Sequence, residues 1–273
     1  MTRDEPDIQP YEVEVVGVRP LTPSIVRIEV QGAAPEPLGV PDEGCVLHVP
    51  LAGGGRDTDG RWYTVRACNG SRHTFDIVTH EGGIGASWAR RATVGDRIGI
   101  SGRQSWFKRP ADARWQVLIG DIAGLPAISR IAEEAPAGVA TTAVVEVPTA
   151  ADRLPIERAA TTWVHNPDPA AGSRLEELAR GIDLPVGSGY VYVAGEAAAT
   201  RGVRKYLRHE LGMAAGTYGV VGYWRVDAER WRRRYESSVE VYEKAWEHAE
   251  QAGRDEEESA DIYEADLAKA GLL

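Results

Sequence analysis

The chain has 273 residues, 43% of them apolar and 26% charged, which is the balance of a folded globular protein and excludes a disordered one. Its formal charge is −10, and from Asp227 onward acidic residues outnumber basic ones fourteen to seven, so no basic face for nucleic acid is expected. Two cysteines cannot ligate an iron–sulfur cluster or a structural zinc, the six histidines lack metal-ligand spacing, and no apolar run reaches membrane-spanning length. No metal and no membrane contact are therefore expected, and any redox chemistry falls to a bound organic group.

In chain order, Met1–Pro10 is polar and acidic and lacks the basic and apolar regions of a secretory leader, so a cytoplasmic protein is expected. Six short segments follow that are rich in Val and Ile and partly alternating: 11–21, 24–30, 45–51, 61–68, 73–80 and 96–102. Gly, Pro and Asp punctuate them, the pattern of a six-stranded antiparallel barrel. One helix, Ala86–Ala92, is expected directly after a glycine cluster. From Arg114 the pattern changes. Apolar strands at 115–121, 141–147, 160–166, 190–196 and 217–224 alternate with helices at 125–135, 173–182 and 199–211. That alternation predicts a parallel sheet covered on both faces. The tail reads as two helices broken at Gly253. Trp231, Tyr235, Val239, Tyr242, Trp246 and Ala249 would form one stripe on the first of these, which packs onto the body of the chain or else makes a dimer contact or a wall of the substrate site. The expected division is a barrel domain at 1–110, an α/β domain at 111–226 and a helical extension at 227–273.

The strongest chemical constellation is Arg61-Trp62-Tyr63-Thr64-Val65-Arg66 followed by His80-Glu81-Gly82-Gly83-Ile84-Gly85-Ala86-Ser87. An isoalloxazine ring needs an aromatic face and a hydrogen-bond donor near N5, and Tyr63 and Thr64 supply these. The pyrophosphate of FAD needs positive charge and free backbone amides. Arg61 or Arg66 gives the charge, the glycines let the backbone approach, and a helix opening at Ala86–Ser87 presents its N-terminus. In the second half, Gly120-Asp121 and Gly195-Glu196-Ala197 end two strands of the parallel sheet, where ligands of open sheets bind. A nicotinamide nucleotide, NADPH or NADH, fits across both ends, although no GxGxxG is present.

On these residues the chain resembles the siderophore-interacting protein family, FAD-dependent ferric-siderophore reductases of the ferredoxin-reductase-like superfamily. The matching stretches are RWYTVR, VTHEGGIGASWARRATVGDRIGISG, LIGDIAGLPAISRIAE, VEVPTAADRLPI, YVYVAGEAAATRGVRKYLRHELG, VVGYWR and the closing IYEADLAKAGL. The resemblance implies an N-terminal flavin-binding barrel and a C-terminal nucleotide-binding domain. It also implies that hydride passes from NAD(P)H to flavin N5, and electrons then pass to ferric iron in a small-molecule siderophore. By the same resemblance Arg61, Tyr63 and Thr64 hold the flavin, with Thr64 near N5, and Val78, Thr79, His80, Gly82, Gly83, Gly85, Ala86 and Ser87 wrap the ribityl and pyrophosphate portion. Gly120, Asp121, Gly195, Glu196 and Ala197 face the nicotinamide nucleotide, and Tyr223-Trp224-Arg225 close over the site. No basic siderophore patch stands out in the sequence, and Arg130, near the flavin in such a fold, is the candidate for the substrate. Asn166 follows Trp163-Val164-His165 where relatives carry an arginine, which leaves NADH and NADPH both open. No acid–base residue is assigned, because flavin N5 is the redox centre. The alternative is a flavoenzyme of this fold recruited to a biosynthetic pathway, with a small organic substrate or a non-redox FAD. A monomer or a homodimer is compatible with the sequence.

Overall fold

The computed structural model describes residues 9–80, 82–226 and 228–272, so the N-terminal segment read for a secretory leader, Met1–Ile8, and Glu81 of the glycine motif lie outside the described residues. The chain forms two compact units, the first running to Trp224 and the second from Arg225.

The first unit opens with β1 (Tyr11–Thr22), β2 (Ile25–Gly32), β3 (Gly44–His48), β4 (Arg61–Thr64), β5 (Ala67–Asn69) and β6 (Arg72–Val78). Helix α1 (Ile84–Ala89) and β7 (Arg97–Gln104) complete this lobe. Alternate residues Val13, Val15, Ile28, Val30, Ile98 and Ile100 point inward and bury fully with Phe75, Ile77 and Trp88. The strands form one antiparallel sheet in the order β4-β3-β7-β1-β2-β6-β5. Seven strands stand where six were expected, because the segment 61–68 bends in its middle. The Val65 amide bonds to Glu43 O on the β3 side, and the Arg66 amide bonds to Thr74 O on the β6 side. The two edge strands of the sheet are thus the two halves of one bent segment. No ladder joins β4 to β5.

The helix expected at Ala86–Ala92 begins two residues earlier and ends three earlier. Gly82 and Gly83 take left-handed φ values of 74° and 76°, so the turn closes before Ile84 and the helix starts there. Its far end gives way to a turn in which Asp96 accepts bonds from the Thr93 amide and hydroxyl, both at 3.0 Å.

The second lobe comprises β8 (Trp115–Gly120), α2 (Leu125–Glu133), β9 (Ala140–Val147), β10 (Ala160–His165), α3 (Leu175–Arg180), β11 (Gly189–Glu196), α4 (Ala197–Lys205) and β12 (Tyr218–Trp224). Helix α4 widens into a π turn over Tyr206–Glu210. The five strands are parallel in the order β10-β9-β8-β11-β12. Every residue of β8 and β11 is buried, as expected of central strands covered on both faces. Ile25 of the first lobe lies in the same core as Leu118, Ile128 and Tyr192 of the second, so apolar packing crosses between the lobes.

The second unit holds three helices, α5 (Ala228–Glu236), α6 (Val239–Ala252) and α7 (Glu256–Lys269), instead of two. The additional break falls at Ser237–Ser238, where the Ser237 hydroxyl bonds back to Arg234 O at 2.9 Å. The aromatic stripe therefore folds on itself. Tyr235 lies 4.9 Å from Tyr242 between ring centroids, and Trp246 meets Tyr263 edge-on at 5.7 Å. No described helix is long and apolar enough to cross a membrane.

Candidate functional site

Gly60, with φ 66°, stands just before β4, where a β-carbon would lie 2.3 Å from Val46. Arg61 follows, half-buried, with its guanidinium 3.3 Å from the buried carboxylate of Asp57. Tyr63 lies opposite Cys45 in the ladder. Its ring leans over α1: a β-carbon on Gly85 would sit 1.8 Å from the Tyr63 hydroxyl oxygen. Burial pushes this phenol up to about 12. The glycine-opened turn and the tyrosine strand thus converge. His80 stands against Gly83 at 3.1 Å from the β-carbon position there, and no side chain caps the start of α1. Ser87 is exposed, Gly85 and Ala86 are buried, and Gly82 has open space around it. Val78 closes β6 opposite Ile25, and the Thr79 amide bonds to Ser24 O at 2.8 Å.

Arg66, the other candidate for phosphate charge, turns away past the bend. It forms a two-pronged pair with Glu133 of α2, Nη1 to Oε2 at 2.8 Å, and lies 3.8 Å from Asp76. Arg130 is 8% exposed. It donates to Val65 O at 2.8 Å and to Glu134 at 2.6 Å, which pins α2 to the bend. Arg19, Arg27, Arg66 and Asp76 line a cavity of about 220 Å³, with Leu21, Leu125 and Pro126 among its apolar walls. The Arg27–Asp76 pair is closed by two bonds of 2.7 Å. These arginines are far apart in sequence, and no local signal brings them together.

Thr64 is buried and donates to the Tyr223 hydroxyl at 3.3 Å. Tyr223 meets Tyr192 at 3.3 Å between hydroxyls, and Tyr192 donates to Asp42 at 3.4 Å. Asp42 also accepts from the Ser105 hydroxyl and, at 2.8 Å, from the Trp106 amide. A continuous hydroxyl chain therefore crosses from the first lobe to the second and back. Asp42 and Tyr192 were not singled out in the sequence.

The order of the parallel sheet reverses between β8 and β11, and their carboxyl ends carry Gly120-Asp121 and Gly195-Glu196. Such switch points are where open α/β sheets bind ligands. The glycines have a packing cause as well. A β-carbon on Gly120 would meet Ile128 at 2.5 Å, and one on Gly195 would meet Asp121 at 2.5 Å. Asp121 accepts four bonds: Glu196 N at 2.8 Å, Trp224 Nε1 at 2.7 Å, Ala123 N at 2.9 Å and Gly124 N at 3.3 Å. Burial still lifts its carboxyl to about 6. Glu196 caps α4 through the amides of Ala198 and Ala199, at 2.7 and 2.8 Å, and Ala197 is buried behind it. Asn166 is buried and bonds to Glu146 at 3.0 Å and Gly172 O at 2.8 Å. Arg225 belongs to the second unit, where its guanidinium lies 4.8 Å from the Trp231 ring. Cys45 and Cys68 are free thiols, and among the described residues no cluster of three or more His, Cys, Asp or Glu could hold a metal.

Two family models match the chain, one described as a siderophore-interacting FAD-binding domain over residues 51–106 and one as siderophore-interacting protein over residues 113–227. The ferric vibriobactin reductase ViuB of Vibrio cholerae is 32% identical over 177 residues, which are 60% of this chain. The match spans 64% of the length of that relative. An NADPH-dependent ferric-chelate reductase of Escherichia coli is 23% identical over 147 residues, 50% of this chain and 54% of its own. The crystal structure of a siderophore utilization protein from T. fusca superposes with a TM-score of 0.70 at 31% identity, covering 80% of this chain and 93% of that one.

Proposed function

Because the chain belongs to the siderophore-interacting protein family, we propose that it is an FAD-dependent reductase of ferric siderophores that draws its electrons from NADH or NADPH. The residues present fit a flavin. The observation that carries the reading is the convergence of the Tyr63 phenol on Gly85, which sets an aromatic ring beside a side-chain-free stretch of backbone. When bound, FAD supplies a ring that takes up hydride at N5 and gives single electrons to iron.

In this reading residues 1–110 hold the flavin, residues 111–226 hold the nicotinamide nucleotide, and residues 227–273 form a helical extension. Tyr63 offers its ring face to the isoalloxazine, and Thr64 offers its hydroxyl to N5. Arg61 gives charge to the pyrophosphate. The turn from Val78, Thr79 and His80 through Gly82, Gly83 and Gly85 to Ala86 and Ser87 gives amides and a hydroxyl without steric bulk. Gly120, Asp121, Gly195, Glu196 and Ala197 shape the nucleotide crevice at the switch point, with Tyr223 and Trp224 beside it. Positioning is the protein's contribution. The ferric chelate is the substrate, and the relatives named for ferric-vibriobactin and ferric-chelate reduction support that assignment.

Purified protein is expected to be yellow with bound FAD, to bleach anaerobically on addition of NADH or NADPH, and to deliver iron(II) from a ferric siderophore to a ferrozine trap. A protein that refuses FAD ends this reading. One that bleaches but reduces no ferric chelate moves it to the organic-acceptor alternative.

A further inference from the structure

The chain Thr64–Tyr223–Tyr192–Asp42 has a direction. A carboxylate only accepts, so an ionised Asp42 commits the Tyr192 hydroxyl hydrogen to itself. That turns the Tyr223 hydrogen toward Tyr192, a pair in which either hydroxyl can donate, and leaves the Thr64 hydrogen on Tyr223, where the structure has it. The Thr64 oxygen then faces away from the chain with lone pairs only. A protonated Asp42 permits the reverse order, in which Thr64 becomes a donor to whatever lies beyond it. Resting on the reading that Thr64 faces flavin N5, we propose that this hydroxyl chain is a proton relay that couples the oxidation state of the flavin to the protonation of buried Asp42.

The chemistry of the ring supplies the two ends of the coupling. Oxidised N5 accepts a hydrogen bond, whereas reduced N5 carries hydrogen and donates one. When two electrons leave in turn for two ferric ions, the N5–H bond breaks. Thr64 takes up that proton and passes its own to Tyr223, Tyr223 passes one to Tyr192, and Tyr192 passes one to Asp42. Asp42 ends as the neutral acid. The next hydride restores hydrogen at N5 and turns the chain back, and Asp42 yields its proton to solvent by way of the hydroxyl of half-buried Ser105. One proton and two electrons balance in each direction.

The surroundings of Asp42 support the role. It is fully buried, and burial raises its carboxyl above the ordinary range while the bonds from Ser105, Trp106 N and Tyr192 hold it down. Tyr190 and Tyr223 also lie within its electrostatic reach. The adjacent Glu43 gives Oε1 to Arg103, and the Tyr192 hydroxyl bonds to Asp42.

The test is the midpoint potential of the FAD-loaded protein against pH, read from the flavin absorbance, in the wild type, Asp42→Asn, Tyr192→Phe, Thr64→Val and Thr64→Ser. Over the range in which Asp42 is protonated beside oxidised flavin and ionised beside reduced flavin, reduction consumes no net proton. The wild-type potential is expected to be flat there and sloped on both sides. Asp42→Asn, Tyr192→Phe and Thr64→Val are expected to give one continuous slope, and Thr64→Ser to keep the flat segment. Should Asp42→Asn not fold, Tyr192→Phe removes a single oxygen and decides the matter. A wild-type protein that holds and reduces FAD but has the same profile as Tyr192→Phe overturns the relay and leaves the functional reading standing. A wild-type protein that holds no FAD overturns that reading itself.

Discussion

The Tyr63 hydroxyl rests on Gly85 so closely that a β-carbon at residue 85 would stand 1.8 Å from its oxygen. In an ordinary helix, Gly→Ala gains up to about 1 kcal/mol. Here the added methyl must displace the tyrosine ring. Gly85→Ala is therefore expected to weaken FAD binding at least tenfold, roughly 1.4 kcal/mol, as measured by flavin fluorescence titration. Gly53→Ala, at a glycine with open space around it, serves as the control and leaves binding unchanged. Equal FAD affinity in Gly85→Ala and the wild type would refute the proposed cradle.

Both sheets were legible because their signals are local. Val13 and Val15 alternate with polar neighbours, and the apolar runs around Leu118 and Val191 belong to strands buried on both faces. The bend at Val65–Arg66 carries no glycine or proline. Its cause is distant, in Glu43 O, Thr74 O and the Arg130 guanidinium. The tail break escaped because the aromatic spacing continues across Ser237–Ser238. Asp42 was invisible for a similar reason: its partners Ser105, Trp106 and Tyr192 lie 63, 64 and 150 residues away. Tyr192 did carry a hint, since a phenol inside a fully buried strand needs a partner for its hydroxyl.

Arg61 and Arg66 looked interchangeable as sources of positive charge, and the structure separates them. Arg61 is held at 3.3 Å by Asp57, whereas Arg66 makes a two-pronged pair with Glu133 on α2. Arg61→Gln keeps an N–H for Asp57 but loses the charge, so FAD affinity is expected to fall about tenfold with little change in thermal stability. Arg66→Gln is expected to retain FAD and to lose about 1.5–3 kcal/mol of folding stability, the range for hydrogen bonds to charged groups. Denaturant titration and flavin binding on both variants check this, and the opposite pattern would reassign the phosphate contact to Arg66.

Glu196 occupies the amides at the start of α4 that an anionic ligand would otherwise use. Glu196→Ala is expected to cost about 0.5–2 kcal/mol as a lost N-cap. It also frees two donors at the switch point. Inorganic phosphate should therefore raise the melting temperature of the variant more than that of the wild type. An equal effect on both would mean that these amides do not meet phosphate.

Asp121 joins the ends of β8, β11 and β12 through four accepted hydrogen bonds, yet burial outweighs them and raises its carboxyl to about 6. An unfolded aspartic acid titrates near 4. Between those values the folded chain binds the proton that the unfolded chain releases, so this group's contribution to stability is full below about pH 4 and declines as pH rises toward 6. Two units of difference correspond to about 3 kcal/mol. Asp121→Asn removes that pH dependence. It is nevertheless expected to be less stable at every pH, because its amide nitrogen would face N–H donors such as Trp224 Nε1. The difference in unfolding free energy between wild type and Asp121→Asn should therefore narrow as pH rises from 4 to 6 and stay constant above that. A difference that widens over this range would mean that the four hydrogen bonds, and not burial, control the carboxyl.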